Sequence, residues 1–89
     1  MPDDQKREAV CSLVVKFLRE AREGRGLSMT VLAQKSGLSQ ATISFVEREL
    51  RNPTLDTMLR MADVLEVELG EVILRASTEA KRRRIRTGK

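Results

Sequence analysis

The stretch SQATISFVEREL, residues 39–50, gathers an amide, two hydroxyls, a methyl group and an aromatic ring in Gln40, Ala41, Thr42, Ser44 and Phe45. Ile43, Val46 and Leu50 recur within it at three- and four-residue spacing, so a helix here would turn them toward a core and leave the first set facing outward. That outward set is short and nearly uncharged. It contains no nucleophile and base to work on each other; it offers hydrogen bonds and apolar contact, which is the chemistry of recognition. The rest of the chain adds little that could catalyse a reaction. There is no histidine, which removes the usual general base and metal ligand. The single cysteine, Cys11, excludes an internal disulfide and a CxxC site. It is expected to be a buried or half-buried structural thiol on a helix. No catalytic residue, metal ligand or cofactor is assigned, and the chain does not read as an enzyme.

The elements that must position residues 39–50 follow from caps and periodicity. Val10, Leu13, Val14, Phe17, Leu18 and Ala21 share one face of a helix from about residue 5 to 23, opened by Asp3 and Asp4 at its positive end and stopped by Gly24 and Gly26. Ser28 caps a second helix reaching Ser36 with Leu32 and Ala33 inward, Gly37 ends it, and Ser39 caps the third. Arg51-Asn52-Pro53 breaks the chain. Thr54 then caps a fourth helix with Leu55, Met58, Leu59, Met61, Ala62 and Leu65 on its buried side. A last helix is expected from Leu69 to Ala76. No segment alternates with strand period, so the chain reads as an all-α, compact five-helix domain.

At 89 residues the chain holds one domain, residues 1–76, followed by a basic tail, residues 77–89. The tail carries Lys81, Arg82, Arg83, Arg84, Arg86 and Lys89 against Glu79, so the net charge of +4 belongs to it and the remainder is slightly negative. Lacking an apolar face, the tail is expected to be frayed or flexible. A chain this small buries only about 60% of its unfolded surface, which favours a partner subunit. A homodimer through Leu69, Val72 and Ile73 is expected, because the last helix offers more apolar surface than one small core requires. No signal peptide or membrane span is apparent, and a cytoplasmic protein is expected.

Residues 29–48, MTVLAQKSGLSQATISFVER, form two helices joined by a turn from Ser36 to Ser39. Ala33 is small where the helices cross, Gly37 tolerates positive φ, and Leu32, Leu38, Ile43 and Val46 supply contacts that hold the angle. Here the sequence resembles the Cro and phage-repressor type of helix-turn-helix protein, the XRE family. The resemblance runs from about Phe17 to Ile73, through GLS, LAQKSGLSQATIS, VER, RNPTLDTM and ADVLEVELGEV. It implies a lambda-repressor-like five-helix domain that binds double-stranded DNA as a dimer, with its third helix in the major groove.

By matching positions, the resemblance places Gln40, Ala41, Ser44 and Phe45 against bases, with Thr42 at their edge. A groove about 12 Å wide admits a helix, a glutamine amide pairs with adenine N6 and N7, and alanine and phenylalanine suit thymine methyl groups. Adenine and thymine positions should therefore dominate the bases read by Gln40 and Phe45. Thr30, Ser39, Arg48, Arg51 and Asn52 form the expected phosphate-contacting set, which fixes register. The resemblance also implies an internal ion pair of Arg22 with Glu47. Three positions depart from the pattern: Met29 replaces a glutamine that grips a phosphate, and Glu49 and Glu66 replace glycines after helices three and four. A non-glycine residue in the left-handed region costs on the order of 1 kcal/mol, so these turns are expected to differ locally.

The leading expectation is a small transcriptional regulator, of repressor or controller type, on a palindromic operator. The alternative is an antitoxin or other protein-interaction module whose DNA binding is autoregulatory. RNA or nonspecific nucleic-acid binding through KRRRIR would need only charge, and its signature would be a steep salt dependence without sequence preference.

Overall fold

The structure is a computed structural model that describes residues 2–87, with the side chains of residues 5–83. Its elements are α1 (Pro2–Gly24), α2 (Met29–Ser36), α3 (Gln40–Glu47), α4 (Leu55–Leu65) and α5 (Leu69–Thr87), and the described residues include no strand. The three inner helices are capped as their sequences dictate. Ser28 Oγ accepts from the Val31 N–H at 3.1 Å, Ser39 Oγ from Thr42 at 3.0 Å, and Thr54 Oγ1 from Thr57 at 3.0 Å.

The first four helices end on one device. A left-handed residue follows the last turn, and the amide of the next, apolar residue reaches back to a carbonyl five positions earlier. Leu27 bonds Arg22 O at 3.1 Å, Leu38 bonds Ala33 O at 3.2 Å, Leu50 bonds Phe45 O at 2.9 Å, and Val67 bonds Ala62 O at 3.1 Å. The left-handed residues are Gly26 (φ 69°), Gly37 (φ 78°), Glu49 (φ 59°) and Glu66 (φ 58°). The expected local departure at the two glutamates is thus corrected: both adopt the glycine conformation, because the returning hydrogen bond requires it.

The core collects Leu18 from α1, Leu32 from α2, Ile43 from α3, and Met61 and Leu65 from α4, each almost fully buried. α1 and α5 make the most extensive helix contact. Arg25, just after α1, donates to Leu65 O at the end of α4, and Arg75 of α5 lies over the α1 Phe17 ring at 3.9 Å from its centroid.

Several expectations are corrected. α5 does not stop at Ala76 but continues to Thr87, because Ala76 and Ala80 are both buried and extend its apolar stripe. The helix therefore enters the segment expected as a flexible tail; Gly88 and Lys89 lie outside the described residues. On α4 the buried stripe is Met58, Met61, Ala62 and Leu65, whereas Leu55 and Leu59 are 59% and 49% exposed. Leu59 falls about 100° round the helix from Met58, and Leu55 lies in the first turn, so both sit on the flank. Leu50 is exposed because α3 ends at Glu47, before the helical phase can carry it inward. Cys11 is exposed. It lies one turn before the buried Val14 and Val15, where α1 opens onto two surface grooves.

Replacing Glu66 with glycine should relieve left-handed strain and raise stability by about 1 kcal/mol, a rise in Tm of roughly 4–8 °C for a domain of this size. Thermal unfolding followed by circular dichroism checks this. A lower Tm would mean that the exposed Glu66 contact with Arg25 Nη2, 3.5 Å long, outweighs the strain.

Candidate nucleic-acid interface

α3 has only eight residues, fewer than an isolated helix needs to be stable, so its direction is set by what holds it. Ile43 and Val46 enter the core. Behind it, the turn from α2 is closed by the Leu38 amide donating to Ser36 Oγ at 3.3 Å, while Arg60 Nη1 donates to Ser36 O at 3.4 Å. Gly37 has Arg60 Nη1 3.3 Å from where a Cβ would stand, so both its φ and its surroundings suit glycine.

The strongest restraint is an ion pair. Arg22 on α1 donates from Nε to Glu47 Oε2 at 2.7 Å and from Nη2 to Glu47 Oε1 at 3.0 Å, a bidentate fork with both residues buried. Its remaining nitrogen, Nη1, donates to Leu27 O at 2.6 Å, so one guanidinium joins α1, the turn before α2, and α3. The Glu47 hydrogen bonds, reinforced by its charge, hold the Arg22 pKa above the ordinary arginine value against the opposing effect of burial. Glu47 therefore lies on the inner side of α3, and its neighbours face out.

Gln40 and Ala41 are exposed; Thr42, Ser44 and Phe45 are half-buried. Thr42 Oγ1 and Ser39 Oγ are 2.8 Å apart, so part of each hydroxyl's capacity is satisfied within the helix start. Thr30 is exposed in the first turn of α2, and Arg48, Arg51 and Asn52 are exposed just beyond α3. Arg48, Arg51, Asn52 and the outward face of α3 form one continuous stretch of chain from the turn to the α4 cap, and Thr30 stands apart from it on α2. Met29 is half-buried against the core, which removes it from the role of a polar clamp.

One association is not visible in the sequence. The Arg51 guanidinium lies over the Phe45 ring, 5.1 Å from its centroid. Phe45 and Arg51 also line a cavity of about 110 Å³ together with Thr42, Asn52, Thr54 and Thr57. The cap at Thr54 was readable from local sequence. Its approach to α3 depends on how the Arg51-Asn52-Pro53 loop turns, for which no local pattern exists.

The expected dimer set does not remain together. Leu69 is buried within its own chain at the start of α5, so it belongs to the core and is removed from that set; Val72 is half-buried and Ile73 exposed. Among the described residues no helix is long and apolar enough to cross a membrane.

A helix-turn-helix family model matches residues 18–72. An uncharacterized HTH-type transcriptional regulator of Mycobacterium tuberculosis is 40% identical over 60 residues, covering 67% of this chain and 43% of that protein. A putative HTH-type transcriptional regulatory protein of Methanocaldococcus jannaschii is 37% identical over 54 residues, 61% of this chain and 17% of that one. An uncharacterized HTH-type transcriptional regulator of Sinorhizobium fredii is 36% identical over 56 residues, 63% of this chain and 29% of that protein. The chain thus spans less than half the length of these curated relatives. No solved structure gives a significant match.

Substituting Glu47 with alanine should destabilise the domain by about 3–5 kcal/mol, since it leaves the Arg22 guanidinium buried without its partner. Urea denaturation measures this. A loss below about 1 kcal/mol would mean that the pair is no more than an exposed one in its effect.

Proposed function

The chain belongs to the Cro/C1-type, or XRE, family of helix-turn-helix transcriptional regulators, and from that premise we propose a cytoplasmic repressor or controller that binds a palindromic operator as a homodimer. The observation that carries this reading is the division of α3 into two faces. Glu47 and Ile43 are fixed inward, while Gln40, Ala41, Thr42, Ser44 and Phe45 lie on the other sides of the helix, and α3 itself carries no charged residue between Gln40 and Val46.

In this reading α3 enters the major groove. Gln40 pairs with an adenine, and Ala41 and Phe45 touch pyrimidine methyl groups. Ser44 and Thr42 supply further hydrogen bonds. Arg48, Arg51 and Asn52 grip phosphates beyond the C-terminal end of α3, and Ser39 and Thr30 do so near the two helix starts. Two copies related by a twofold axis present recognition helices to successive grooves ~34 Å apart. The surface that supports pairing is the exposed edge of α5 at Ile73, with Val72 behind it. Ile73 borders a mainly apolar groove of about 150 Å³ walled by Val10, Val14, Pro53 and Met58.

Selection of bound sequences from a random DNA pool should return a palindrome, and Gln40→Ala should abolish preference at one symmetric pair of positions, a loss of roughly 1–3 kcal/mol there. Retention of the full preference would remove Gln40 from the reading set. Sedimentation should show a dimer that Ile73→Glu converts to monomer; a monomeric wild type at high micromolar concentration would overturn the dimer.

A further inference from the structure

Phe45 occupies an unusual place for an aromatic side chain. Counting about 100° per residue from the buried Ile43, Ala41 and Phe45 both fall within about 20° of the opposite side of α3. They therefore form a narrow apolar stripe along the middle of the outward face, with Thr42 and Ser44 on either flank. A phenyl ring on such a face gains by folding back onto its own domain. Phe45 is half-buried, and the Arg51 guanidinium lies over its ring, 5.1 Å from the centroid.

A guanidinium over a ring is attracted by the negative charge of the π face, so it restricts the ring to the orientation in which they stack. Asn52, Thr54 and Thr57 border the cavity that the ring and guanidinium share. The arrangement leaves the rest of the ring as a preset apolar contact beside Ala41. Within the major groove, base pairs present hydrogen-bonding groups and one apolar group, the methyl on pyrimidine C5.

Resting on the DNA-binding reading above, we propose that Phe45 and Arg51 form a composite reader of a pyrimidine C5-methyl group, in which Phe45 contacts the methyl and Arg51 positions the ring. The contact responds to the methyl group and not to the pairing edge of the base. Thymine and 5-methylcytosine satisfy it alike, and uracil and unmodified cytosine do not. Arg51 is then a positioning residue as well as a phosphate anchor, and the two roles separate experimentally.

The test uses the full chain and the operator selected from the random pool. Each thymine is replaced singly by deoxyuridine, which removes only the methyl, and affinity is measured by fluorescence anisotropy. Wild type should lose about 4-fold at one symmetric pair of positions, the effect of one buried methyl-sized group. 5-Methylcytosine opposite guanine at either one of those positions should bind about 4-fold tighter than cytosine opposite guanine there. Phe45→Ala should bind thymine and deoxyuridine operators equally. Arg51→Lys, which keeps the charge but loses the planar stack, should lower the thymine-to-deoxyuridine ratio toward one while preserving the salt dependence of binding. Circular dichroism verifies that both variants fold, and the wild-type series stands without them. An operator that tolerates deoxyuridine at every position overturns the reader and leaves the DNA-binding reading intact. An unchanged ratio in Arg51→Lys overturns the positioning role. A pool that yields no bound sequence overturns both readings together.

Discussion

The fork between Arg22 and Glu47 is the constraint on which the orientation of α3 depends. A helix of eight residues has too few internal hydrogen bonds to fix its own direction. Ile43 and Val46 provide burial, but burial is non-directional and would tolerate some rotation about the helix axis. Two parallel charge-assisted hydrogen bonds at 2.7 and 3.0 Å do not, because a modest rotation breaks both. The third donor, on Leu27 O, ties the same guanidinium to the entrance of α2. Desolvation offsets much of the Coulombic gain of such a pair. Its consequence for function is geometric: it determines which side of α3 points outward.

The helix ends supply the second constraint. The connections after α1, α2 and α4 are only four, three and three residues long, so the angle between those helices is set by the left-handed residue and the amide that returns behind it. The seven-residue connection after α3 begins with the same device. Gly26 and Gly37 adopt this conformation without a Cβ penalty, whereas Glu49 and Glu66 adopt it against one. Both glutamates keep the turn because the next residue, Leu50 or Val67, makes the same returning bond as its glycine-preceded counterparts. A backbone pattern that persists through an unfavourable side chain shows that the returning hydrogen bond and the apolar residue that makes it outweigh a residue preference of this size.

Much of this architecture was legible in the sequence because it is encoded locally. Ser28, Ser39 and Thr54 each cap a helix within three residues of themselves, and the Ile43–Val46 stripe reports which side of α3 is covered. The misplacements arise where coverage depends on distant elements. Leu55 and Leu59 have the composition of a core face but lie on the flank of α4, where no other helix arrives. Cys11 follows the same logic on α1. Ala76 and Ala80 carry too little hydrophobicity to announce a helix, yet they let α5 lie close against α1, and the helix runs on through a basic segment. The stack of Arg51 on Phe45 spans a turn whose path no periodicity describes.

The distribution of charge separates two tasks that a nucleic-acid ligand would otherwise combine. Sequence-independent attraction rises with the number of cations that meet phosphates, and it is the same for every site. A recognition face rich in arginine would add to that background as well as to the specific signal. Between Gln40 and Val46, α3 carries no charged residue of its own; Arg48 and Arg51 follow its C-terminal end in sequence, with the Arg51 guanidinium reaching back over Phe45, and Lys81, Arg82 and Arg83 are exposed far along α5. The neutral face can therefore contribute discrimination through amide, hydroxyl and methyl-sized contacts, each modest in magnitude. Their sum depends on the face being presented in one orientation, which returns the burden of specificity to the buried pair behind it.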